Sequence, residues 1–200
     1  MTRWGMTIDL KRCIGCQTCS VACKMKNGTP PGIFFRKVLE KVTGKYPNVK
    51  RSYITMGCMH CADAPCVAQC PSGAFYKRAD GVVLFDTNKC YGARICRMAC
   101  PYDAIEFIEK VESYYPQGFT SIEKYWDNQS REGTAAKCDF CIDLVEAGEK
   151  PACVKTCPTD ALKFGDLNDP NSEVSKLILE RGGYQLRAEL GTNPSVYYLP

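Results

Sequence analysis

Short apolar stretches alternate with longer polar segments along the whole 200-residue chain. The stretch Ile8-Asp9-Leu10 precedes one polar segment, the stretch Leu84-Phe85-Asp86 precedes another, and each combines apolar residues with an aspartate. Such stretches are typical of a strand that leads into a loop. Three polar segments end in an alanine followed by an apolar residue, at Ala74, Ala104 and Ala161. The pattern therefore predicts a repeated unit of strand, loop, short helix and strand.

The same pattern predicts one hairpin and one longer helix. Residues 82–85 are among the longest apolar runs and follow the turn pair Asp80-Gly81, which indicates a β-hairpin. Residues 173–190 show helical periodicity with a break at Gly182-Gly183, and the tail after them is expected to run extended over a partner or over the chain's own surface. Because a membrane span requires ~20 apolar residues, no span of the chain's own is expected.

Cysteine is the outstanding feature of the composition. The chain has 15 cysteines, a density that normally indicates disulfides or metal binding. Fifteen is an odd number, and no apolar signal segment with a cleavage site follows Met1, so metal is favoured over disulfides. The net charge of +4 comes from 26 basic and 22 acidic residues, which is too mild to predict binding to nucleic acid.

The cysteines fall into four groups. These are Cys13, Cys16, Cys19 and Cys23; Cys58, Cys61, Cys66 and Cys70; Cys90, Cys96 and Cys100; and Cys138, Cys141, Cys153 and Cys157. Three closely spaced cysteines let one loop hold three corners of an iron-sulfur cube, whereas the last cysteine points away and serves a neighbouring cluster. Four groups that exchange ligands imply two pairs and four clusters. Structural zinc sites, the alternative, use isolated C-x2-C pairs and need no third cysteine in the loop.

Separation along the chain predicts which groups pair. Only 19 residues separate Cys70 from Cys90, so the second and third groups are expected to form one lobe, and the first and fourth then pair by exclusion. The predicted fold is α+β, with two pseudo-symmetric lobes of the bacterial ferredoxin type. The outer lobe would comprise residues 1–24 and 132–170, and the inner lobe residues 52–110. Residues 25–51 and 111–131 would be insertions, and residues 171–200 a C-terminal helix and docking tail.

These motifs resemble the four-cluster, ferredoxin-like beta subunits of the molybdopterin oxidoreductases of the dimethyl sulfoxide reductase family. The resemblance runs from Trp4-Gly5-Met6-Thr7-Ile8-Asp9 through all four groups to residues 193–200, and the short length is most similar to the polysulfide, thiosulfate, tetrathionate and arsenate reductase subunits. It implies an electron-transfer subunit that is not itself a catalyst. Its partners would be a catalytic subunit with molybdenum or tungsten bound by two pterins and a membrane-anchor quinone subunit or another carrier.

The resemblance also implies a ligand set for each cluster. Site 1 would use Cys13, Cys16, Cys19 and Cys157; site 2, Cys23, Cys138, Cys141 and Cys153; site 3, Cys58, Cys61, Cys66 and Cys100; and site 4, Cys70, Cys90 and Cys96. Site 4 is one ligand short, because Ala93 stands where the spacing expects a cysteine and a methyl group cannot bind iron. We therefore expect three [4Fe-4S] clusters and one [3Fe-4S] cluster, by similarity to nitrate-reductase-like subunits that have Trp there. The alternatives at site 4 are a [4Fe-4S] cluster with a non-cysteine ligand such as water, or an altered or empty site.

Catalytic motifs are absent from the sequence. It contains no Ser-His-Asp set, phosphate loop or nucleotide fingerprint, so no catalytic residue is predicted. A free-standing soluble polyferredoxin and a zinc-ribbon binding protein are the alternative functions, although the insertions and tail disfavour the first. Without a signal peptide of its own, the chain is expected to reach the membrane through a partner, on either the cytoplasmic or the periplasmic side.

Three further features each have two interpretations. His60 lies inside the second group and is expected to hydrogen-bond a sulfur or to support the loop, rather than to bind iron, since that group has four cysteines. One set of cations is expected on a solvated face, with docking to an acidic partner or to lipid headgroups as the alternative: Arg36, Lys37, Lys41, Lys45, Lys50 and Arg51. One set of aromatic residues either forms a partner interface or shields a cluster from water: Tyr114, Tyr115, Phe119, Tyr125 and Trp126.

Overall fold

The computed structural model describes residues 1–126 and 132–200. Residues 127–131, the end of the second predicted insertion, lie outside the described residues. The helices and strands of the described ranges are, in chain order, β1 (Trp4–Asp9), α1 (Thr18–Asn27), β2 (Arg36–Lys45), β3 (Asn48–Gly57), α2 (Pro65–Ala68), β4 (Phe75–Lys77), β5 (Val83–Phe85), α3 (Ile95–Ala99), β6 (Glu106–Ile108), α4 (Ser121–Trp126), β7 (Thr134–Ala136), α5 (Ile142–Glu146), α6 (Ala152–Lys155), β8 (Leu162–Asp166), α7 (Glu173–Glu180) and β9 (Val196–Leu199). The predicted α+β content is confirmed.

Each cysteine group lies between two strands, and paired strands join each group to the next. The pairs β2–β3, β4–β5 and β6–β7 are antiparallel and link successive groups. The antiparallel pair β1–β8 then connects the strand before the first group with the strand after the fourth. The predicted unit of strand, cysteine loop, helix and strand is confirmed. Its four copies are closed into a ring by their strand pairs.

The helices of the cysteine groups pack in pairs. Helix α1 of the first group packs against α6 of the fourth, and α2 of the second packs against α3 of the third. Strand pairs connect every unit to the next one in the same way. Helix packing, in contrast, joins the first unit with the fourth and the second with the third. Helix packing thus joins the groups two by two, and the division of the chain into two lobes stays a prediction.

The predicted hairpin between the second and third groups is confirmed. Strands β4 and β5 pair in antiparallel register, with Phe75 opposite Phe85. Gly81 has φ 83°, a conformation that favours glycine, and Asp80 accepts a hydrogen bond from the Val82 N–H at 3.2 Å. The turn pair recognised in the sequence thus supplies the backbone geometry that reverses the chain.

The first predicted insertion is an ordered hairpin that projects from the body. Strands β2 and β3 have ten residues each, pair along their whole length and are exposed over residues 39–52. Four of the predicted solvated cations lie on this exposed part, as expected: Lys41, Lys45, Lys50 and Arg51. Lys37 is half-buried and pairs with Glu106 at 2.6 Å.

The C-terminal helix is shorter than predicted. Helix α7 begins after Ser172, whose hydroxyl accepts the Ser175 N–H, and ends at Glu180. Gly183 lies against the helix, where a Cβ would come within 3.0 Å of the Ile178 Cα. The break predicted at Gly182-Gly183 is confirmed, but the α-helix does not resume up to residue 190. Only one 3₁₀ turn follows, at Ala188–Leu190.

The tail forms the last strand of the main sheet. Strand β9 pairs in parallel with β1, and the sheet order is β8–β1–β9. Tyr198 is 0% exposed, and its hydroxyl donates a hydrogen bond to the Thr55 carbonyl at 2.8 Å. Of the two surfaces predicted for the tail, the structure places residues 196–199 on the chain's own. The surrounding core includes Met6, Ile8, Phe140, Leu162 and Val196.

Truncating Tyr198 is expected to weaken the fold in proportion to what is removed. Tyr198→Phe removes one buried hydrogen bond and should lower the free energy of unfolding by about 1 kcal/mol. Tyr198→Ala also leaves a cavity and should lower it by about 3 kcal/mol or more. The half-buried neighbour Tyr197 provides the control, since Tyr197→Ala should have the smaller effect. The measurement is the rate of unfolding in denaturant at equal iron content. Equal rates for the two alanine variants would contradict the structural role of the tail.

The described part of the second insertion is organised around one carboxylate. Glu123 is buried and accepts hydrogen bonds from the Tyr114 and Thr120 N–H groups at 2.7 Å each, and its own N–H bonds back to the Thr120 hydroxyl at 3.4 Å. Thr120 and Glu123 thus form a capping box at the start of α4. The hydrogen bond from the Thr120 N–H, together with those from Tyr114 and Ser113, lowers the pKa of Glu123 to about 2.

Replacing Glu123 with glutamine is expected to loosen this insertion. The folded pKa of about 2 lies below the ordinary value of 4.5, so the stabilisation is fully present above pH 4.5 and is lost as the pH falls toward 2. At neutral pH, Glu123→Gln removes the charge that holds the two amides, so amide hydrogen exchange at Tyr114 and Thr120 should accelerate. Glu112→Gln, at an exposed ion pair with Lys110, should change neither amide. Unchanged exchange in Glu123→Gln would contradict the capping role.

Part of the predicted aromatic set lies over the end of the first cysteine helix. Trp126 covers Gly28, where a Cβ would come within 2.3 Å of the Trp126 Cβ, and the Tyr114 hydroxyl donates to the Thr29 carbonyl at 2.8 Å. Tyr115 and Tyr125 are 55% and 78% exposed. Trp126 and Tyr114 thus cover the end of α1, whereas Tyr115 and Tyr125 leave aromatic surface exposed. A partner interface and the shielding of a cluster both stay predictions.

No helix within the described ranges is long and apolar enough to cross a bilayer.

Candidate metal centres

In three groups a tight turn follows the last cysteine. The cysteine is followed by proline, and the residue three positions after the cysteine has a positive φ: Gly73 (63°), Asp103 (48°) and Asp160 (56°). In each turn this residue's N–H bonds back to the cysteine carbonyl, at 3.2 to 3.4 Å. The turn then directs a backbone N–H at the thiol, as where Ala161 N–H donates to Cys157 Sγ at 3.3 Å. Hydrogen bonds to cysteine sulfur are among the factors that set cluster potentials.

All fifteen cysteines lie within the described residues, and all are free thiols. Most are buried, and Cys16 is the exposed one. Burial raises the pKa of Cys23, Cys61 and Cys66 to about 12, and that of Cys141 to about 11. Buried thiols of this kind are stabilised as thiolates when a metal replaces the proton. The chemistry of the donor set therefore fits metal binding.

Thiols of the second and third groups lie close together. Besides burial, negative charge on Cys58, Cys100 and Cys61 raises the pKa of Cys66. Burial, followed by the charge on Cys58 and Cys100, also raises the pKa of Cys61. Cys100 comes from the third group and the other three cysteines from the second. The structure thus brings together the four thiols predicted for site 3.

The three thiols predicted for site 4 are also neighbours. Burial raises the pKa of Cys96, and negative charge on Cys70 and Cys90 raises it further. These three cysteines line a small cavity together with Ala93. Ala93 is exposed, and its φ is not in the left-handed region. The residue at the expected ligand position therefore borders the space between the three thiols.

Most thiols of the first and fourth groups interact in the same way. For the set predicted for site 2, burial and then charge on Cys153 and Cys141 raise the pKa of Cys23, and charge on Cys23 acts on the buried Cys138. In the set predicted for site 1, Cys19 interacts with Cys13 and Cys157. Electrostatic interactions also link the sets, Cys19 with Cys153 and Cys138 with Cys58.

Two buried cations lie among the thiols. From the sequence, one of them was placed on a solvated face and the other was not identified. Arg36 was expected on the solvated face, but it is 2% exposed and its guanidinium lies 3.7 Å from Cys153 Sγ. Lys137 is 6% exposed and donates hydrogen bonds to the carbonyls of Val83 and Cys138. Its position next to Cys138 was the available sequence signal. The burial of Arg36 depends on residues far away in the chain and left no local signal.

His60 supports the cysteine loop from a fully buried position. It is 0% exposed, its Nδ1 accepts the Val83 N–H at 3.1 Å, and its ring stacks on Phe140 with centroids 3.6 Å apart. Burial, followed by the charges of Lys137 and Arg36, holds the pKa of His60 well below its usual range. The predicted supporting role is confirmed. Hydrogen bonding of Nε2, which has no partner among the described residues, to a sulfur stays a prediction.

No three described His, Cys, Asp or Glu side chains are placed around a single metal ion. The thiolates of a cubane do not require this, because each binds its own iron. Comparison with known families agrees with the donor set: a 4Fe-4S dicluster domain matches residues 49–114 and 123–167, and a 4Fe-4S binding domain matches residues 4–25. Fold and thiols together define an iron-sulfur protein with ferredoxin-type domains.

Relatives align along nearly the whole chain. A selenate reductase subunit of Mesobacillus selenatarsenatis is 40% identical over 98% of this chain and 72% of its own length. A sulfite dehydrogenase subunit of Allochromatium vinosum is 40% identical over 100% of this chain and 84% of its own. ArrB, the arsenate respiratory reductase iron-sulfur subunit of Shewanella sp. strain ANA-3, is 37% identical over 98% and 96%. The chain belongs to the family of iron-sulfur subunits of the molybdopterin oxidoreductases.

The family match confirms the resemblance predicted from the motifs. The chain is an electron-transfer subunit rather than a catalytic one. An arsenate reductase subunit is among the relatives, as the predicted subgroup implies. The selenate and sulfite proteins are about as similar, so these identities do not assign the chain to that subgroup.

Proposed function

We propose that this chain relays electrons through four iron-sulfur clusters between a molybdopterin catalytic subunit and a second redox partner. The observation that carries the proposal is the convergence of buried thiols from different groups. When bound, the clusters would supply one-electron redox chemistry. The protein would contribute the ligands, the low-dielectric surroundings and the hydrogen bonds to sulfur that adjust the reduction potential of each cluster.

The proposed ligand sets are those implied by the resemblance. The interactions of Cys66 and Cys61 support site 3, those of Cys96 support site 4, and those of Cys23, Cys138 and Cys19 support sites 2 and 1. The electrostatic interactions of Cys19 with Cys153 and of Cys138 with Cys58 support a linear order, with site 1 next to site 2 and site 2 next to site 3. Sequence position places site 4 with site 3, because these two sets share the second and third groups.

We further propose two lobes with the predicted limits. Residues 1–24 with 132–170 would hold sites 1 and 2, and residues 52–110 would hold sites 3 and 4. The packing of α1 on α6 and of α2 on α3 supports this division. The strand pairs β2–β3 and β6–β7, which each link one lobe to the other, would keep the two lobes in fixed relation.

At site 4 we propose a [3Fe-4S] cluster. Cys70, Cys90 and Cys96 provide three thiolates around a cavity that Ala93 borders, and an alanine methyl provides no ligand. A [4Fe-4S] cluster completed by a non-cysteine ligand is the alternative, because Ala93 is exposed and leaves room for water.

The proposed partners follow from the relatives, which are named as subunits of selenate, sulfite and arsenate enzymes. A catalytic subunit with a pterin-bound metal would lie beside site 1. A membrane quinone subunit or another carrier would lie beside site 4, and would hold the complex at the membrane on one of its two sides.

Anaerobic purification of the affinity-tagged chain from its native host tests the proposal. We expect brown protein that contains iron and acid-labile sulfide and copurifies with a large molybdenum- or tungsten-containing subunit. A cluster-loaded chain without that subunit would favour the free-standing polyferredoxin. Zinc in place of iron and sulfide would overturn the electron-transfer proposal.

A further inference from the structure

Arg36 is a cation enclosed within the protein. It is the first residue of β2 and is only 2% exposed. Its Nη2 lies 3.2 Å from Met6 Sδ and 3.7 Å from Cys153 Sγ. Gly57 faces it on β3, and a Cβ at Gly57 would come within 3.4 Å of the Arg36 Cζ and Nη1. A glycine on the partner strand thus leaves space for the buried guanidinium.

The charge of Arg36 needs a counter-charge, because burying an unpaired ion is very unfavourable. No aspartate or glutamate in the described ranges forms an ion pair with Arg36. Burial lowers the pKa of Arg36, but the negative charges of four cysteines outweigh burial and raise it: Cys153, Cys138, Cys23 and Cys19. Because the guanidinium lies 3.7 Å from Cys153 Sγ and has no carboxylate partner, its counter-charge is cysteine sulfur, which becomes thiolate when a metal replaces the thiol protons.

Three of these four cysteines belong to the set proposed for site 2. Cys153, Cys138 and Cys23 come from that set, and only Cys19 comes from the set for site 1. The direct contact of the guanidinium with a ligand sulfur, at 3.7 Å, is also to site 2. Lys137 is the cation that acts on Cys66 of site 3, so that site has a different positive neighbour.

We propose that Arg36 is the counter-ion of the cluster at site 2 and raises its reduction potential. Reduction adds one negative charge to the site, and a positive charge fixed nearby in a low-dielectric interior stabilises the reduced state more than the oxidised state. The effect on site 1 is smaller, and sites 3 and 4 are unaffected. This inference rests on the proposed function and adds a residue that sets the potential within it.

Redox titration of the intact complex, followed by EPR, tests the role of Arg36. Arg36→Met removes the charge and keeps much of the apolar length of the side chain. The site 2 signal, identified as the one that Cys153→Ser abolishes, should shift to a lower potential by at least a tenfold change in the oxidised-to-reduced ratio, about 59 mV for one electron. Arg36→Lys should retain most of the native potential. Lys41→Met, which removes an exposed cation from the same strand, should shift no signal because water and salt screen that charge.

Iron content distinguishes a failure of the proposed function from a failure of the counter-ion role of Arg36. Iron-free wild-type protein would refute the proposed function itself. Fully loaded Arg36→Met with four unchanged potentials would refute only the counter-ion role. If Arg36→Met loses iron, Arg36→Lys decides, because retained charge should restore loading. Equal iron loss in the lysine variant, or an equal shift of its potential, would mean that shape rather than charge matters and would overturn the inference.

Discussion

Replacing Ala93 with cysteine is expected to convert site 4 from a three-iron to a four-iron cluster. The new thiolate would supply the missing ligand beside Cys70, Cys90 and Cys96, which line the same cavity. Ala93 is exposed and has no left-handed φ, so the larger side chain fits without overpacking or backbone strain. The iron content should rise by one atom per chain, and the EPR signal of the oxidised three-iron cluster should disappear.

Ala79→Cys provides the matched control for this substitution. Ala79 is also exposed but lies in the β4–β5 turn, away from the site 4 cavity. Its replacement adds the same thiol and should change neither iron content nor spectrum. Unchanged iron and an unchanged oxidised spectrum in Ala93→Cys would contradict the three-iron assignment. They would favour the non-cysteine ligand or the altered site instead.

Serine substitutions at Cys153 and Cys157 are expected to destroy two different clusters. The two cysteines are four positions apart in one group, yet the proposed sets assign Cys153 to site 2 and Cys157 to site 1. Replacing a thiolate by a hydroxyl removes a strong iron ligand with almost no change in shape. Each variant should therefore lose one cluster, detected as one missing EPR signal and a matching loss of iron.

Variants from distant groups identify which cluster is lost. Cys157→Ser should lose the same signal as Cys13→Ser, although these residues are 144 positions apart in the sequence. Cys153→Ser should lose the same signal as Cys23→Ser, whose cysteine comes from the first group. If Cys153→Ser and Cys157→Ser instead lose one common signal, ligands are not exchanged between groups, and the four sites must be reassigned.

Local features of this fold could be predicted because they depend on neighbouring residues. The positive φ at Gly81 makes the turn of the β4–β5 hairpin, and the Asp80 side chain accepts a hydrogen bond from the backbone two residues on, so the sequence pair identified the reversal. The cysteine-proline turns repeat for the same reason. Each uses a hydrogen bond across three residues and needs nothing from the rest of the chain.

Features that depend on distant residues escaped prediction. The parallel pairing of β9 with β1 joins segments at opposite ends of the chain, and no turn signal marks it. Arg36 stands in a run of cations, and only Gly57 on the facing strand and Cys153 from the fourth group make its position an interior one. At the metal sites, cysteine spacing indicated the loops. Spacing also indicated that ligands are exchanged between groups, but the assignment of each ligand to a site came from resemblance, because it depends on how the loops pack.

The pairing of β1 with β8 has a consequence for biosynthesis. As the chain leaves the ribosome, Cys13, Cys16 and Cys19 emerge early, but the strand that pairs with β1 and the cysteine that would complete their proposed site come from residues 157–166. All cysteines of the proposed sites 3 and 4 are translated by residue 100, well before the last cysteines of the other two proposed sites. If iron is inserted during synthesis, the proposed sites 3 and 4 would be complete at a stage when sites 1 and 2 are not. Under the proposed ligand sets, iron delivery to sites 1 and 2 would follow synthesis of nearly the full-length protein.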